Sequence, residues 1–177
     1  MQHSQLREEF YSHAFSRFGV MFFDNSILAF RNINKSLREG ARFCFSCWQM
    51  PEKNLWQALV MREVKQCIDL PDEDMTNPGP FRFGDIDYLN LILTEAQFQS
   101  IQIEPLERDI VMFKQYSAED AVNEMLELSP SLRFLQDYPI DLQEQVKRAS
   151  VKAYAEYQTK DGFVFPSAAW IVAAHKS

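Results

Sequence analysis

The side chains able to do chemistry in this sequence are few and poorly grouped. Cys44 and Cys47 form a C-x-x-C, a spacing used by redox dithiols and by half of a zinc site. They fall in the apolar run ARFCFSCW, residues 41–48, which predicts a strand. Residues three apart on a strand point to opposite faces, so the two thiols cannot converge. Zinc would also want two further soft ligands, and the remaining cysteine is Cys67 alone. His3, His13 and His175 lie near the ends with no acidic partner at a ligand interval. No serine sits in a G-x-S-x-G elbow, so a hydrolase triad lacks its nucleophile. Asp72, Glu73 and Asp74 read as a solvated loop, and Tyr154 and Tyr157 as packing residues of a helix. Residue type and spacing therefore name no catalytic group and no metal site.

Glycine is as informative as the reactive residues. Gly19, Gly40, Gly79, Gly84 and Gly162 are all isolated. Without a G-x-G pair, no backbone segment is built to approach a nucleotide in the glycine-rich manner. A net charge of −7 disfavours nucleic acid, whose phosphates need clustered Lys and Arg. No apolar run approaches the ~20 residues of a membrane span. Three cysteines and no secretory leader fit a reduced, cytoplasmic protein.

The elements that must position any site follow from periodicity and punctuation. A strand is predicted over residues 12–18, then a helix capped by Asp24 or Asn25, with Ile27, Phe30, Ile33 or Asn34, and Leu37 on one face. Gly40 is expected to stop it in the left-handed conformation. Residues 42–48 read as a strand covered on both faces. A helix is predicted over 54–68, and the Pro-rich stretch 71–80 is the best internal break. Asp85 should cap a helix to about Ala96; strands are expected at 100–104, interrupted by Pro105, and at 109–113. Ser117 and Asp120 make a capping box, Leu132–Gln136 a short helix, and Asp141 opens the clearest helix. The last strand is expected over 168–174.

The segment from Ser16 to Trp48, SRFGVMFFDN followed by LREGARFCFSCW, resembles the middle of a class I S-adenosylmethionine-dependent methyltransferase, of the bacterial type 11/25-like kind. TEAQF, residues 94–98, is similar to that family's helix-ending turn, with Gln97 where a glycine is common. The resemblance implies an α/β fold: a partial Rossmann-like sheet in the order 4-5-7-6, its last strand antiparallel. It implies one domain over residues 1–177, with a helical insertion over 114–160 before the last strand. The chain would then be the C-terminal half of the fold, truncated before the glycine-rich cofactor motif.

By the same resemblance Ser16, Arg17 and Phe18 would border the methionine part of S-adenosylmethionine, the implied cofactor. Met21, Phe22, Phe23 and Trp48 would line the pocket of a small-molecule methyl acceptor. Binding by this chain alone is not expected, because the residues that hold ribose and adenine belong to the other half. A non-catalytic remnant is the competing expectation. Its strand-four edge, residues 12–18, would be unpaired and would seek a second copy or a partner chain. A third expectation, an unrelated helical ligand-binding domain, requires that residues 42–48 and 168–174 not be neighbouring strands.

Overall fold

Asn25 opens the first helix: its side-chain oxygen accepts from the Leu28 amide at 2.9 Å, satisfying one orphan donor. In the computed structural model, which describes residues 4–70 and 74–177, this helix is α1 (Ser26–Ser36). It joins two parallel strands, β1 (Tyr11–Arg17) and β2 (Leu37–Trp48). Strand, helix and parallel strand form a crossover unit. Gly40 does adopt φ +73, but within β2 and not as the helix stop. The correction has a geometric cause: between Tyr11↔Leu37 and His13↔Arg42 the register jumps, and Gly40 lies inside that bulge. The helix ends earlier, at Ser36, whose hydroxyl bonds the Ile33 carbonyl at 2.7 Å.

The strand order is β1-β2-β5-β3, where β3 is Phe98–Met112 and β5 is Gly162–Lys176. β5 runs antiparallel to β2, with Phe43 opposite Ala174 and Trp48 opposite Ala169. The partial sheet expected from the resemblance, 4-5-7-6 with a reversed last strand, is thus the sheet observed. Because residues 42–48 and 169–175 pair directly, the unrelated helical domain is excluded. Pro105 does not interrupt β3, because β3 closes the sheet and a prolyl nitrogen there need not donate to a neighbour.

The chain divides into two compact units: Met1–Met50, Asp74–Leu106 and Ala168–Ser177 in one, Pro51–Glu73 and Glu107–Ser167 in the other. In the first unit α1 and α3 (Ile86–Glu95) cover one sheet face. Asp85 caps α3, accepting from the amides of Asp87 and Tyr88. Phe30 of α1 is fully buried against Phe43, Phe45 and Phe83, with ring centroids 5.6 to 5.7 Å apart. Along β2, Ala41, Phe43, Phe45 and Cys47 are buried, whereas Cys44, Ser46 and Trp48 are only half-buried. Full cover of both faces was expected; within this unit the helices lie on one face only, so the strand alternates.

The second unit holds α2 (Leu55–Cys67), α4 (Ala118–Leu128), a 3-10 run at Pro130–Asp137, α5 (Ile140–Ala155) and the two-residue strand β4 (Gln158–Thr159). The capping box at Ser117 and Asp120 is present. Tyr154 anchors the core: its ring lies 5.0 Å from Phe165 and 6.0 Å from Phe163, and its hydroxyl donates to the Trp56 carbonyl. Burial pushes its pKa above the usual tyrosine value. It is a packing residue, as expected from the sequence. Among the described residues no helix is long and apolar enough to cross a membrane.

Candidate functional site

Parallel strands bring their carboxyl ends to one edge, and open α/β sheets bind ligands there. Here the edge belongs to β1 and β2 in the first unit. Arg17 ends β1 and pairs with Ser46; Trp48 ends β2. Phe18 follows in the left-handed conformation, φ 52, with its amide donating to the Ser46 carbonyl at 3.1 Å. That turn swings the Phe18 ring onto Trp48, with centroids 4.1 Å apart and planes 19° from parallel. Two residues thirty positions apart in sequence thus form one flat aromatic wall.

Ser16 is half-buried at the same edge and Arg17 is exposed. Gly19 keeps room for the serine: a Cβ there would lie 3.1 Å from the Ser16 hydroxyl oxygen. A 3-10 turn at Val20–Phe22 then divides the expected pocket residues. Met21 is buried in the core, whereas Phe22 is 52% exposed. Phe23 is half-buried, edge-on to Phe30 at 6.3 Å.

The loop 79–84 backs this edge, and sequence reasoning assigned it no role. The Gly79 amide donates to the Met21 carbonyl at 3.2 Å. Arg82, buried, donates to the carbonyls of Phe23 and Asp24. Gly84 passes so close to Met50 that a Cβ would meet its nitrogen at 2.8 Å. The Gly84 carbonyl accepts from Trp170 Nε1 at 2.9 Å. Beside Trp48, Gln49 is buried and donates to the Ala169 carbonyl at 3.0 Å. The signals were present in isolated Gly84 and in a lone arginine between phenylalanines, but neither has a spacing that names a function.

These residues suit one part of an S-adenosylmethionine molecule. A sulfonium is cationic and lightly hydrated, and aromatic faces attract cations, by about 0.5–1 kcal/mol at exposed sites. The Phe18–Trp48 pair offers such faces beside the half-buried Ser16 hydroxyl. A ribose diol wants a carboxylate acceptor, and none of Ser16, Arg17, Phe18 and Trp48 is acidic. By these chemistries the residues would suit the methyl and methionine side of that cofactor rather than its adenosine.

Cys44 and Cys47 sit as strand geometry requires, Cys47 in the core and Cys44 half-buried on the opposite face, both as free thiols. Burial pushes the Cys47 thiol up to about 12, far from a reactive thiolate. His13 is exposed, beside the Ser12 hydroxyl at 3.2 Å, and His175 Nε2 accepts from Arg42 Nε at 3.2 Å. His3, Asp72 and Glu73 lie outside the described residues; Asp74 is exposed, its carboxylate held below the usual pKa by bonds from the Thr76 hydroxyl and amide.

Solved structures share this fold. A candidate methyltransferase from Bacillus halodurans aligns at 14% identity and TM-score 0.53, over 99% of this chain and 68% of that one. The YcgJ protein from Bacillus subtilis aligns at 13% identity and TM-score 0.52, again over 99% and 68%. Identities this low establish likeness of fold. No protein-family model and no curated protein matches the sequence.

Proposed function

We propose that this chain forms the acceptor-side half of an S-adenosylmethionine-dependent methyltransferase for a small molecule. It transfers no methyl group until a glycine-rich cofactor cradle is supplied by another segment or another chain. The observation carrying this reading is the edge shared by β1 and β2, where Ser16, Arg17, Phe18 and Trp48 assemble below a reversed β5. The fold likeness to a candidate methyltransferase supports it.

When bound, the cofactor would supply a sulfonium-borne methyl group that passes to an acceptor lone pair, the thioether leaving with the C–S electron pair. The chain's residues contribute placement, which is most of what such a displacement needs. Phe18 and Trp48 present a flat wall that excludes water and faces positive charge. Ser16 and Arg17 border the methionine end. Phe22 and Phe23 extend apolar surface toward the acceptor; Met21 supports them from the core.

Calorimetric titration with S-adenosylmethionine tests the reading. Any saturable heat is expected to be weak, with its affinity lowered about two- to fivefold by Trp48→Ala. Absence of heat at millimolar cofactor rules out cofactor binding by this chain on its own.

A second reading is favoured by a separate observation: β1 ends the sheet, and its Phe15 is 88% exposed. On this reading the chain is a non-catalytic interaction module that associates through β1. A monomer by equilibrium sedimentation would sink it.

A further inference from the structure

The two ends of the sheet are built differently. β3, at one end, carries Glu104, Pro105, Glu107, Arg108 and Asp109 along its exposed run, and Ser100 takes a left-handed φ of 48. Charge, proline and a backbone kink are the devices that keep a strand edge from pairing. β1, at the other end, is Tyr-Ser-His-Ala-Phe-Ser-Arg, with no proline, no acid and one full charge. Its alternate residues Tyr11, His13, Phe15 and Arg17 are all exposed on one face, while Ala14 and Ser16 are half-buried on the other. Among the described residues no strand pairs with its outer edge.

The β1 sequence is also complementary to itself when reversed. Antiparallel pairing about a two-fold axis through Ala14 sets Tyr11 opposite Arg17, Ser12 opposite Ser16, His13 opposite Phe15, and Ala14 opposite Ala14. The arginine then lies against a tyrosine ring, the two serines can exchange hydrogen bonds, and the smallest side chain occupies the axis. No like charges face each other in this register. Shifting the axis to Phe15 would set His13 against Arg17, and shifting it to His13 would put Phe15 beside Tyr11 and carry Arg17 past the partner strand's start, opposite the turn at Glu9.

We propose that the partner of the β1 edge is a second copy of this chain, joined antiparallel about Ala14 into one continuous sheet across a two-fold axis. This rests on the self-association reading above and fixes its surface and register. The interface is isologous, so it closes at a dimer. Seven-residue edges bury less than the ~800 Å² per partner of a standard stable interface, so the dimer is weak.

Two measurements separate the failure of the register from the failure of self-association. Equilibrium sedimentation of the whole chain at 10 to 200 µM is expected to show monomer passing to dimer. Phe15→Lys, a change at an exposed side chain, is expected to hold it monomeric over that range. A wild-type monomer at the highest concentration overturns both self-association and this proposal. The register is read by oxidative cross-linking of Ala14→Cys and Ser12→Cys variants, with the unaltered chain as the control for its own thiols. Opposed residues on antiparallel strands have Cβ atoms about 4.5–5.5 Å apart, close enough for a disulfide after small adjustment. Cys at 14 should therefore link to its own copy, and Cys at 12 should not. A link at 12, at both positions, or at neither in a proven dimer overturns the register while leaving self-association intact.

Discussion

Replacing Phe18 by alanine and, separately, by glycine isolates the backbone strain at the candidate site. Both changes remove the ring stacked on Trp48. Such a stack contributes about 0.5–1.5 kcal/mol beyond its area. A half-buried phenylalanine loses roughly half of the 3–5 kcal/mol of a fully buried one. Each variant should therefore be destabilised by about 2–4 kcal/mol. The two differ in the backbone, because residue 18 sits at φ 52. Alanine keeps the left-handed penalty of about 1–2 kcal/mol, whereas glycine escapes it and adds about 0.5–1 kcal/mol of unfolded-chain entropy. The glycine variant should be the more stable by roughly 0.5–1 kcal/mol, the reverse of the usual order for a strand or helix interior. Urea unfolding followed by near-ultraviolet circular dichroism reads both effects, provided the slopes match. If alanine equals or exceeds glycine, Phe18 does not hold a strained turn and the account of how its ring reaches Trp48 fails.

Three further outcomes follow from the same physics. Gly84→Ala places a Cβ 2.8 Å from the Met50 nitrogen, which must move, so a loss of about 1–3 kcal/mol is expected with a shift in Trp170 emission; an unchanged midpoint would contradict it. Tyr154 keeps its proton more tightly folded than unfolded, so its contribution is complete below pH 10 and lost as pH rises past that value. Tyr154→Phe should cost about 1 kcal/mol for the lost bond to the Trp56 carbonyl and flatten the alkaline limb of the stability profile. Alkylation at pH 8 should label Cys44 and Cys67 in the folded protein and reach Cys47 only on unfolding, as read by peptide mass; early labelling of Cys47 would mean that the β2 core face opens.

The parts of the fold legible in the sequence are those set by short-range rules. Asn25, Asp85 and Ser117 announce their helices because a cap acts within three residues. The apolar run of residues 42–48 and the resemblance around it placed the central pair of strands and the reversed β5. Gly40 misled because glycine after a helical pattern reads as a stop, while here the helix ends four residues sooner and the glycine serves a bulge. Pro105 misled for a similar reason: whether proline breaks a strand depends on whether that strand is at an edge, which only the whole sheet decides. At the candidate site, Phe18 and Trp48 were each singled out, but their contact was not legible, nor were Arg82 and Gly84. Their significance lies in partners thirty to nearly ninety residues away.

The left-handed residues make the same point from the energetic side. Among the described residues Glu9, Phe18, Gln97, Ser100, Phe113 and Gln115 have positive φ without being glycine. Turn signals written in glycine and proline do not reveal them. Remote contacts hold at least two of them: the Trp48 stack holds Phe18, and the Asn34 side chain bonds the Gln97 carbonyl at 3.1 Å. Gln97 thereby makes the turn for which the family resemblance expects glycine.

The two proposed roles also meet on a single physical object, the outer edge of β1. A strand edge has one set of free amides and carbonyls and can be satisfied once. If a second copy occupies it about Ala14, Arg17 is drawn to the partner copy's tyrosine and away from the methionine end of a cofactor. If a strand from a cofactor-binding half occupies it, the chain cannot pair with itself. On the two readings proposed above, cofactor competence and self-association would be mutually exclusive uses of the same seven residues. By linkage, whatever favours one must weaken the other by the same factor.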